Sequence, residues 1–201
     1  MARVVIIGFA GGHCPGPLTP DLFARMVDRA EAIIRTDFAL DIDAIELVSG
    51  GAAWGDHVAV TLFLRHKTLA LTIFAPCEWD ATSGKFADNG RGSDWKVNPA
   101  HYINKLHAKF AAITALKPFD DILDAVARGA TVCAGRGFHS RNTAVADAAT
   151  HMIAFSWGDG DTPDTGGTRN TWDKCSAAHK VHVPMSSLVI HSSLSQHGGH
   201  L

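Results

Sequence analysis

Short apolar segments that run into glycine-rich loops and then into helical patterns recur along this chain. Residues 4–7 (VVII) form a continuous β-branched run, followed by a loop at 8–17 and a helical pattern that begins at Pro20. Such an uninterrupted run is typical of a strand buried on both faces of a parallel sheet, and a helix returns the chain to the start of the next strand. The recurrence predicts a Rossmann-like, doubly wound α/β fold, with a mostly parallel sheet and helices on both faces.

The same alternation continues to the last third of the chain. Its final strand contains Pro184, which cannot donate to a central ladder and therefore favours an edge position. We predict further strands at residues 44–48, 69–74, 130–134, 151–155 and 181–184, and helices at 20–34, 57–64, 105–116, 119–128, 141–149 and 170–178.

The length of 201 residues fits one domain. We assign that domain to residues 1–185 and treat 186–201 as a C-terminal tail. Residues 81–104 are polar and glycine-rich, and a stretch of this length without secondary structure is usually functional or disordered. Because it carries Trp95 and Tyr102, we expect this insert to pack as a lid over a site.

Composition narrows the classes of function. With 18 basic and 20 acidic residues, the chain shows no excess of positive charge for binding nucleic acid. No apolar stretch approaches the roughly 20 residues that cross a bilayer. The four cysteines form no CxxC pair, and no histidine or cysteine pair has zinc-ligand spacing. We therefore expect a cytoplasmic protein with no membrane or nucleic-acid partner, no metal and no cofactor.

Four loops follow predicted strands, at residues 8–17, 49–56, 135–141 and 158–171. Parallel strands bring their carboxyl ends to one edge of the sheet, so these loops should meet there. The last loop contains a glycine pair and threonines at the predicted start of a helix, where backbone N–H groups and the helix dipole attract an anion. We predict a phosphate site at Gly166, Gly167, Thr168 and Thr171.

The other loops supply further candidates. Gly11, Gly50, Gly51 and Ala52 lie in turns where small residues let a ligand approach the backbone. Asp56 follows in the first turn of a predicted helix, where it is either a capping carboxylate or a ligand to substrate.

An adjacent pair, Arg141-Asn142, belongs to the third loop. An arginine can hold a phosphate or carboxylate through two parallel bonds, or it can form a surface salt bridge. An asparagine can bind an amide or a ribose hydroxyl, or it can cap a helix. Agreement among the loops, rather than either residue alone, favours ligand binding.

Three segments in order, SGGAAWGD at 49–56, RNTAVADAATHMIAF at 141–155 and GGTRNT at 166–171, resemble the SLOG superfamily of Rossmann-like proteins. That group includes the "lonely guy" cytokinin-activating phosphoribohydrolases. The resemblance covers about residues 1–185. It implies a phosphate cradle on the glycine–threonine loop, a nucleotide-facing turn at 50–52, a ligand-contacting Arg141 and a homo-oligomer.

The chain departs from the phosphoribohydrolases at one position of their motif. They carry PGGxGTxxE, and the final glutamate takes part in cleaving the N-glycosidic bond. Here Thr165 replaces the proline, and Lys174 falls where the glutamate would be, with Asp173 one position earlier. Cleavage would then need Asp173, Glu78 or Asp56 as the catalytic carboxylate.

Two functions follow as hypotheses. The first is an N-glycosidase that acts on a nucleotide or nucleoside derivative, with one of those carboxylates and a histidine as general acid. His13, His57 and His139 lie at predicted loops or helix starts, although each could equally be a capping or surface residue. The second is a binding protein that senses a nucleotide-derived ligand without turnover.

Overall fold

The computed structural model describes residues 1–12 and 15–189. Two sheets are formed in these residues, one of six strands and one of two. The six strands are β1 (Arg3–Gly8), β2 (Glu46–Ser49), β3 (Ala70–Ala75), β6 (Thr131–Ala134), β7 (His151–Ser156) and β8 (His179–Pro184), and the small hairpin comprises β4 (Trp79–Asp80) and β5 (Lys85–Phe86).

Helices connect these strands on both faces of the large sheet. A π-helical turn at Ile33–Asp37 extends the first helix, and 3₁₀ turns occur at Ile42–Ala44 and Met185–Leu188. The α-helices of the described residues are α1 (Pro20–Ala32), α2 (His57–Arg65), α3 (Pro99–Thr114), α4 (Pro118–Ala127), α5 (Phe138–Ala148) and α6 (Gly166–Lys174).

All pairings in the large sheet are parallel, in the order β6-β3-β2-β1-β7-β8. The chain builds outward from β1 through β2, β3 and β6, then returns to the other side of β1 for β7 and β8. The order therefore reverses between β1 and β7, which is where doubly wound folds bind ligands. This arrangement confirms the doubly wound α/β prediction, and β8 is an edge strand, as Pro184 indicated.

The central strand β1 shows why its sequence is uninterrupted. Val4 and Ile6 lie in one buried apolar cluster, while Val5 and Ile7 lie in a second cluster on the opposite face. Side chains alternate along a strand, so a strand covered by helices on both sides has no face left for polar residues.

Two glycines allow the turn before α2 to pack directly on the end of β1. A Cβ atom on Gly55 would collide with the Cα atom of Gly8, and one on Gly8 would lie 2.6 Å from the carbonyl oxygen of Phe155. Gly55 N also donates to the carbonyl oxygen of Phe9. The first two strand ends are consequently held in contact at the point where the strand order reverses.

Three helices begin earlier than predicted. α5 starts at Phe138, three residues before the expected Arg141, and α6 starts at Gly166 rather than Asn170 and ends at Lys174. α3 starts at Pro99, because the Asn98 side chain caps it by accepting from the His101 N–H.

The insert at 81–104 is accordingly shorter and more ordered than expected. It contains β5 and the first turns of α3, and the carbonyl and amide of Phe86 both bond the Asn104 side chain. The predicted tail at 186–201 lies mostly outside the described residues. Within the described chain, no helix combines the length and apolar character needed to cross a membrane.

Candidate ligand-binding site

A cavity of about 670 Å³ opens at the carboxyl ends of the strands, beside the reversal between β1 and β7. Its walls come from the loop after β1, the first turns of α5 and α6, the turn before α2, and the insert. Three of the four predicted loops thus meet directly at the cavity, and the fourth contributes through α5. The geometry agrees with the expectation that ligand-binding groups collect at this edge.

The N-terminal turn of α6 forms one wall. Gly166, Gly167 and Thr168 line the cavity, and Thr165 precedes them with an extended backbone. The first turn has no capping side chain and no acidic residue. Among the described residues, no side chain caps the N–H groups of this turn, which favours anion binding at a helix start, and the nearby Asp164 carboxylate accepts from the N–H of Thr165 instead.

Thr171 also lines the cavity, but its hydroxyl group is already used. Thr171 Oγ1 donates to the Gly167 carbonyl oxygen at 2.9 Å, four residues earlier in α6. The residue is almost fully buried. Its geometry supports the helix start rather than presenting a free donor.

Arg141 and Asp56 form a buried ion pair in the cavity wall. Arg141 Nη1 donates to Asp56 Oδ2 at 2.9 Å. The same carboxyl group accepts from the backbone N–H groups of Gly8 and Ala52, each at 3.1 Å. Burial raises the pKa of the Asp56 carboxyl, and the Arg141 guanidinium and these two amides oppose that rise. Asp56 precedes α2 but makes no capping hydrogen bond, so its main role is to join the ends of β1 and β2 to Arg141.

The guanidinium of Arg141 has donor capacity left. Its side chain is only 10% exposed, and its Nε atom is buried without a hydrogen-bond partner. The group also lies 5.5 Å from the centre of the Phe138 ring. Arg141 lines the cavity, and its bond to Asp56 uses one of the five N–H donors of a guanidinium, so an anion in the cavity can bind the terminal N–H groups that remain.

Gly50 makes room for that ion pair. A Cβ atom there would collide with Arg141 Nη1 and would lie 2.6 Å from Asp56 Oδ2. Gly50 does not line the cavity, whereas Ala52 does. Of the predicted nucleotide-facing turn, Ala52 therefore lines the cavity, whereas Gly50 packs against the ion pair and does not face a ligand.

Gly51 and Gly11 also lie behind the cavity wall. Gly51 has φ +74°, and its carbonyl oxygen accepts from His107 Nε2 at 3.0 Å. Gly11 has φ +94°, and a Cβ atom there would lie 3.2 Å from the Trp54 ring. Both glycines satisfy backbone geometry rather than presenting backbone to a ligand.

The structure does not bring Glu78 or Asp173 to the cavity. Glu78 is exposed and lies at a separate depression beside Trp79 and Val132. Asp173 is exposed on α6, where both of its oxygens accept from Arg169 Nε at 2.8 Å. Among the cavity-lining residues of the described chain, Asp56 is the sole carboxylate.

Of the three histidines considered as acids, only His139 lines the cavity. His57 is buried, and its Nε2 lies 3.0 Å from Asp121 Oδ2. His13 lies outside the described residues. No group of three or more metal-ligating side chains occurs in residues 1–12 and 15–189.

Aromatic side chains form a further part of the cavity wall. Phe9, Tyr102 and Phe138 line the cavity together with Trp95, whose ring centre lies 5.9 Å from that of Phe138. The insert therefore contributes Trp95 and Tyr102 to the site, as expected from the sequence, whereas its third aromatic residue, Phe86, does not line the cavity. Phe9 and Phe138 were not predicted, because a single aromatic residue beside a glycine-rich loop gives no periodic signal.

Asn142 is buried within α5 rather than at its start, so the capping interpretation is wrong. Its Nδ2 donates to Asn170 Oδ1 at 3.2 Å, and both residues line the cavity. Asn170 was also missed by sequence reasoning. Its spacing of four residues from Gly166 would have placed it on the same face of α6 had the helix start been known.

One known protein is similar over almost the whole chain. "Uncharacterized protein R261" of Acanthamoeba polyphaga mimivirus is 34% identical over 187 residues, which are 92% of this chain and 96% of the viral protein. No protein-family model and no solved structure matches the chain. The similarity thus extends over more than nine tenths of both chains.

Proposed function

We propose that this chain, which belongs to the same protein family as mimivirus R261, binds a nucleotide or nucleotide-derived ligand in the cavity. One observation carries the proposal. The Arg141 guanidinium and the uncapped first turn of α6 line the same cavity as the aromatic side chains Trp95 and Tyr102 of the insert. A phosphate group suits the guanidinium and the helix start, and a planar base suits the aromatic side chains.

The phosphate end combines two kinds of donor. The α6 turn supplies backbone N–H groups, which bind an anion without a side-chain charge. Arg141 supplies a guanidinium that Asp56 already holds in place, so little side-chain entropy is lost on binding. The SLOG resemblance implies the same phosphate cradle.

The aromatic end fits a flat, uncharged group. Base–aromatic contacts contribute about 1–3 kcal/mol per base and tolerate different bases. The cavity volume of about 670 Å³ lies within the range of sites that hold small-molecule ligands. Trp95 and Tyr102 come from the insert, so the length and sequence of this segment would adjust which base fits.

Binding without turnover is the function that this geometry favours. Hydrolysis of a glycosidic bond needs a carboxylate near the anomeric carbon. Asp56 is the carboxylate at hand among the described lining residues, and it already accepts three hydrogen bonds. Lys174 also favours binding without turnover, because it stands where the phosphoribohydrolases carry the glutamate of their motif. The homo-oligomer implied by the resemblance stays a prediction.

Isothermal titration calorimetry with the 5′-mono- and diphosphates of adenosine, guanosine, cytidine and uridine, and with the four nucleosides, tests the proposal. We expect a nucleotide to bind at least about tenfold more tightly than its nucleoside, or about 1.4 kcal/mol. The double variant Arg141→Gln/Asp56→Asn keeps a hydrogen-bonding pair without its charges, and should lose that advantage.

A matched control neutralises an ion pair outside the cavity. Arg169→Gln/Asp173→Asn removes the exposed pair on α6, and neither residue lines the cavity. This variant should bind as the wild type does. The proposal is wrong if no nucleotide binds, or if both double variants behave alike.

A further inference from the structure

Two amide side chains meet in the cavity wall beside the proposed phosphate site. Asn142 lies on α5 directly after Arg141, and Asn170 lies on α6 one helical turn after Gly166. Asn142 Nδ2 donates to Asn170 Oδ1 at 3.2 Å. A Cβ atom placed on Gly167 would lie 3.8 Å from Asn142 Nδ2, so the amide pair is adjacent to the first turn of α6.

The pair retains unused hydrogen-bonding groups of both kinds. Each asparagine side chain offers two N–H donors and one acceptor oxygen, and the mutual bond uses one donor and one acceptor site. In the described residues neither amide makes another side-chain hydrogen bond. Both asparagines line the cavity, and Asn142 is only 4% exposed, so its amide is held in place where a ligand can reach it. If the oxygen and nitrogen atoms of both amides are exchanged, the two side chains still bond each other, and one amide oxygen and one amide NH₂ group still remain free.

We propose that the Asn142–Asn170 pair binds the vicinal hydroxyls of a ribose, so that the cavity selects ribonucleotides over 2′-deoxyribonucleotides. This inference rests on the proposed nucleotide binding. A hydroxyl group both donates and accepts, so one ribose hydroxyl can donate to the free amide oxygen while the other accepts from the free N–H. A deoxyribose leaves one of these amide groups unsatisfied.

The position of the pair suits a sugar better than a base. Asn170 follows Gly166 by four residues, which at a rise of about 1.5 Å per residue places it about 6 Å along α6. With a 5′-phosphate on the first turn, the group within that distance is the ribose ring. The base lies farther from the phosphate, towards Trp95 and Tyr102 of the insert, which also line the cavity.

The test measures affinity by calorimetry for the 5′-monophosphates of adenosine, guanosine, cytidine and uridine and for their 2′-deoxy counterparts. We expect the best-bound ribonucleotide to bind at least about tenfold more tightly than its deoxy form, because a site built to bond a hydroxyl rejects an analogue that lacks it. Asn170→Ala should bring the ratio of these two affinities close to one, chiefly by weakening the binding of the ribonucleotide. Asn142→Ala should do the same, with thermal melting used to confirm that each variant folds.

Arg169 and Asp173 flank Asn170 on α6, and the Arg169→Gln/Asp173→Asn variant should keep the wild-type ratio of ribonucleotide to deoxyribonucleotide affinity. Equal binding of the two sugars by the wild type overturns this inference while leaving nucleotide binding intact. A ribose preference that persists in both asparagine variants also overturns it. If neither sugar form binds, both the inference and the proposed function fail.

Discussion

His107 is a fully buried histidine that supports the turn behind the cavity. Its Nε2–H donates to the Gly51 carbonyl oxygen, and its Nδ1 has no partner. Burial lowers the pKa of His107 to about 3, and the neighbouring His57 adds to this effect. The imidazole is therefore neutral in the folded protein at physiological pH, and its Nε2–H supports the turn carrying Gly50 and Gly51.

Folding should depend on pH through this residue. The folded-state pKa lies below the ordinary value of 6.5, so the unfolded chain binds the extra proton as pH falls from about 6.5 towards 3. The free energy of unfolding should fall by about 1.4 kcal/mol per pH unit over the steep part of this window. Urea denaturation of the wild type and of His107→Gln between about pH 4 and 6.5 isolates this contribution. A difference between the two proteins that is constant with pH would contradict the assignment.

Arg141 shows how much of the role of a single residue can be predicted from the sequence. Its residue type and loop indicated an anion-binding side chain, and the structure places it in the cavity wall. Its partner Asp56 is 85 residues away in the chain, and such pairing leaves no spacing pattern. The need for a glycine at position 50 could not be predicted either, because the space that a side chain would take there is occupied by that distant ion pair.

The helix α6 carries the phosphate half of the proposed site. Sequence reasoning located the glycine pair but read it as a loop before the helix, since glycine is unfavourable inside helices. The structure places both glycines in the first turn, with Gly166 at φ +75°. Backbone N–H groups at that turn have no partner within the helix, so the absence of side chains there leaves them open to a ligand.

An acidic residue introduced at this turn should separate stability from binding. A Cβ atom on Gly167 meets only Asn142 Nδ2, at 3.8 Å, so substitution is sterically tolerated. Gly167→Asp should be more stable than the isosteric Gly167→Asn by about 0.3–1 kcal/mol, because a negative charge is favourable at a helix start. The same charge occupies the anion site, and nucleotide affinity should fall at least about tenfold relative to Gly167→Asn. Denaturation and calorimetry on the two variants measure both effects, and equal affinities would argue against phosphate binding at α6.

At the scale of the whole molecule, the strand order decides which side chains share the cavity. The sequence predicts the alternation of strands and helices and the edge at which their loops meet. It does not predict which strands are neighbours, because parallel pairing joins segments far apart in the chain. The reversal between β1 and β7 brings α6 beside the loop after β1, whereas Glu78, after β3, lies at a different depression. Glu78, which fitted a hydrolase in the sequence, is thereby separated from the site, and Asp173 is separated because it lies on an exposed part of α6 beside Arg169.

This separation predicts that the protein binds nucleotides without releasing their bases. Glu78 and Asp173 do not line the cavity, and Asp56 accepts three hydrogen bonds there. Incubation with ribonucleoside 5′-monophosphates, followed by chromatography of the free bases, should show no release above that in buffer. Release that disappears in Asp56→Asn but persists in Glu78→Gln and Asp173→Asn would instead assign catalysis to Asp56. Because calorimetry measures binding independently, a protein that binds and does not cleave remains distinct from one that does neither.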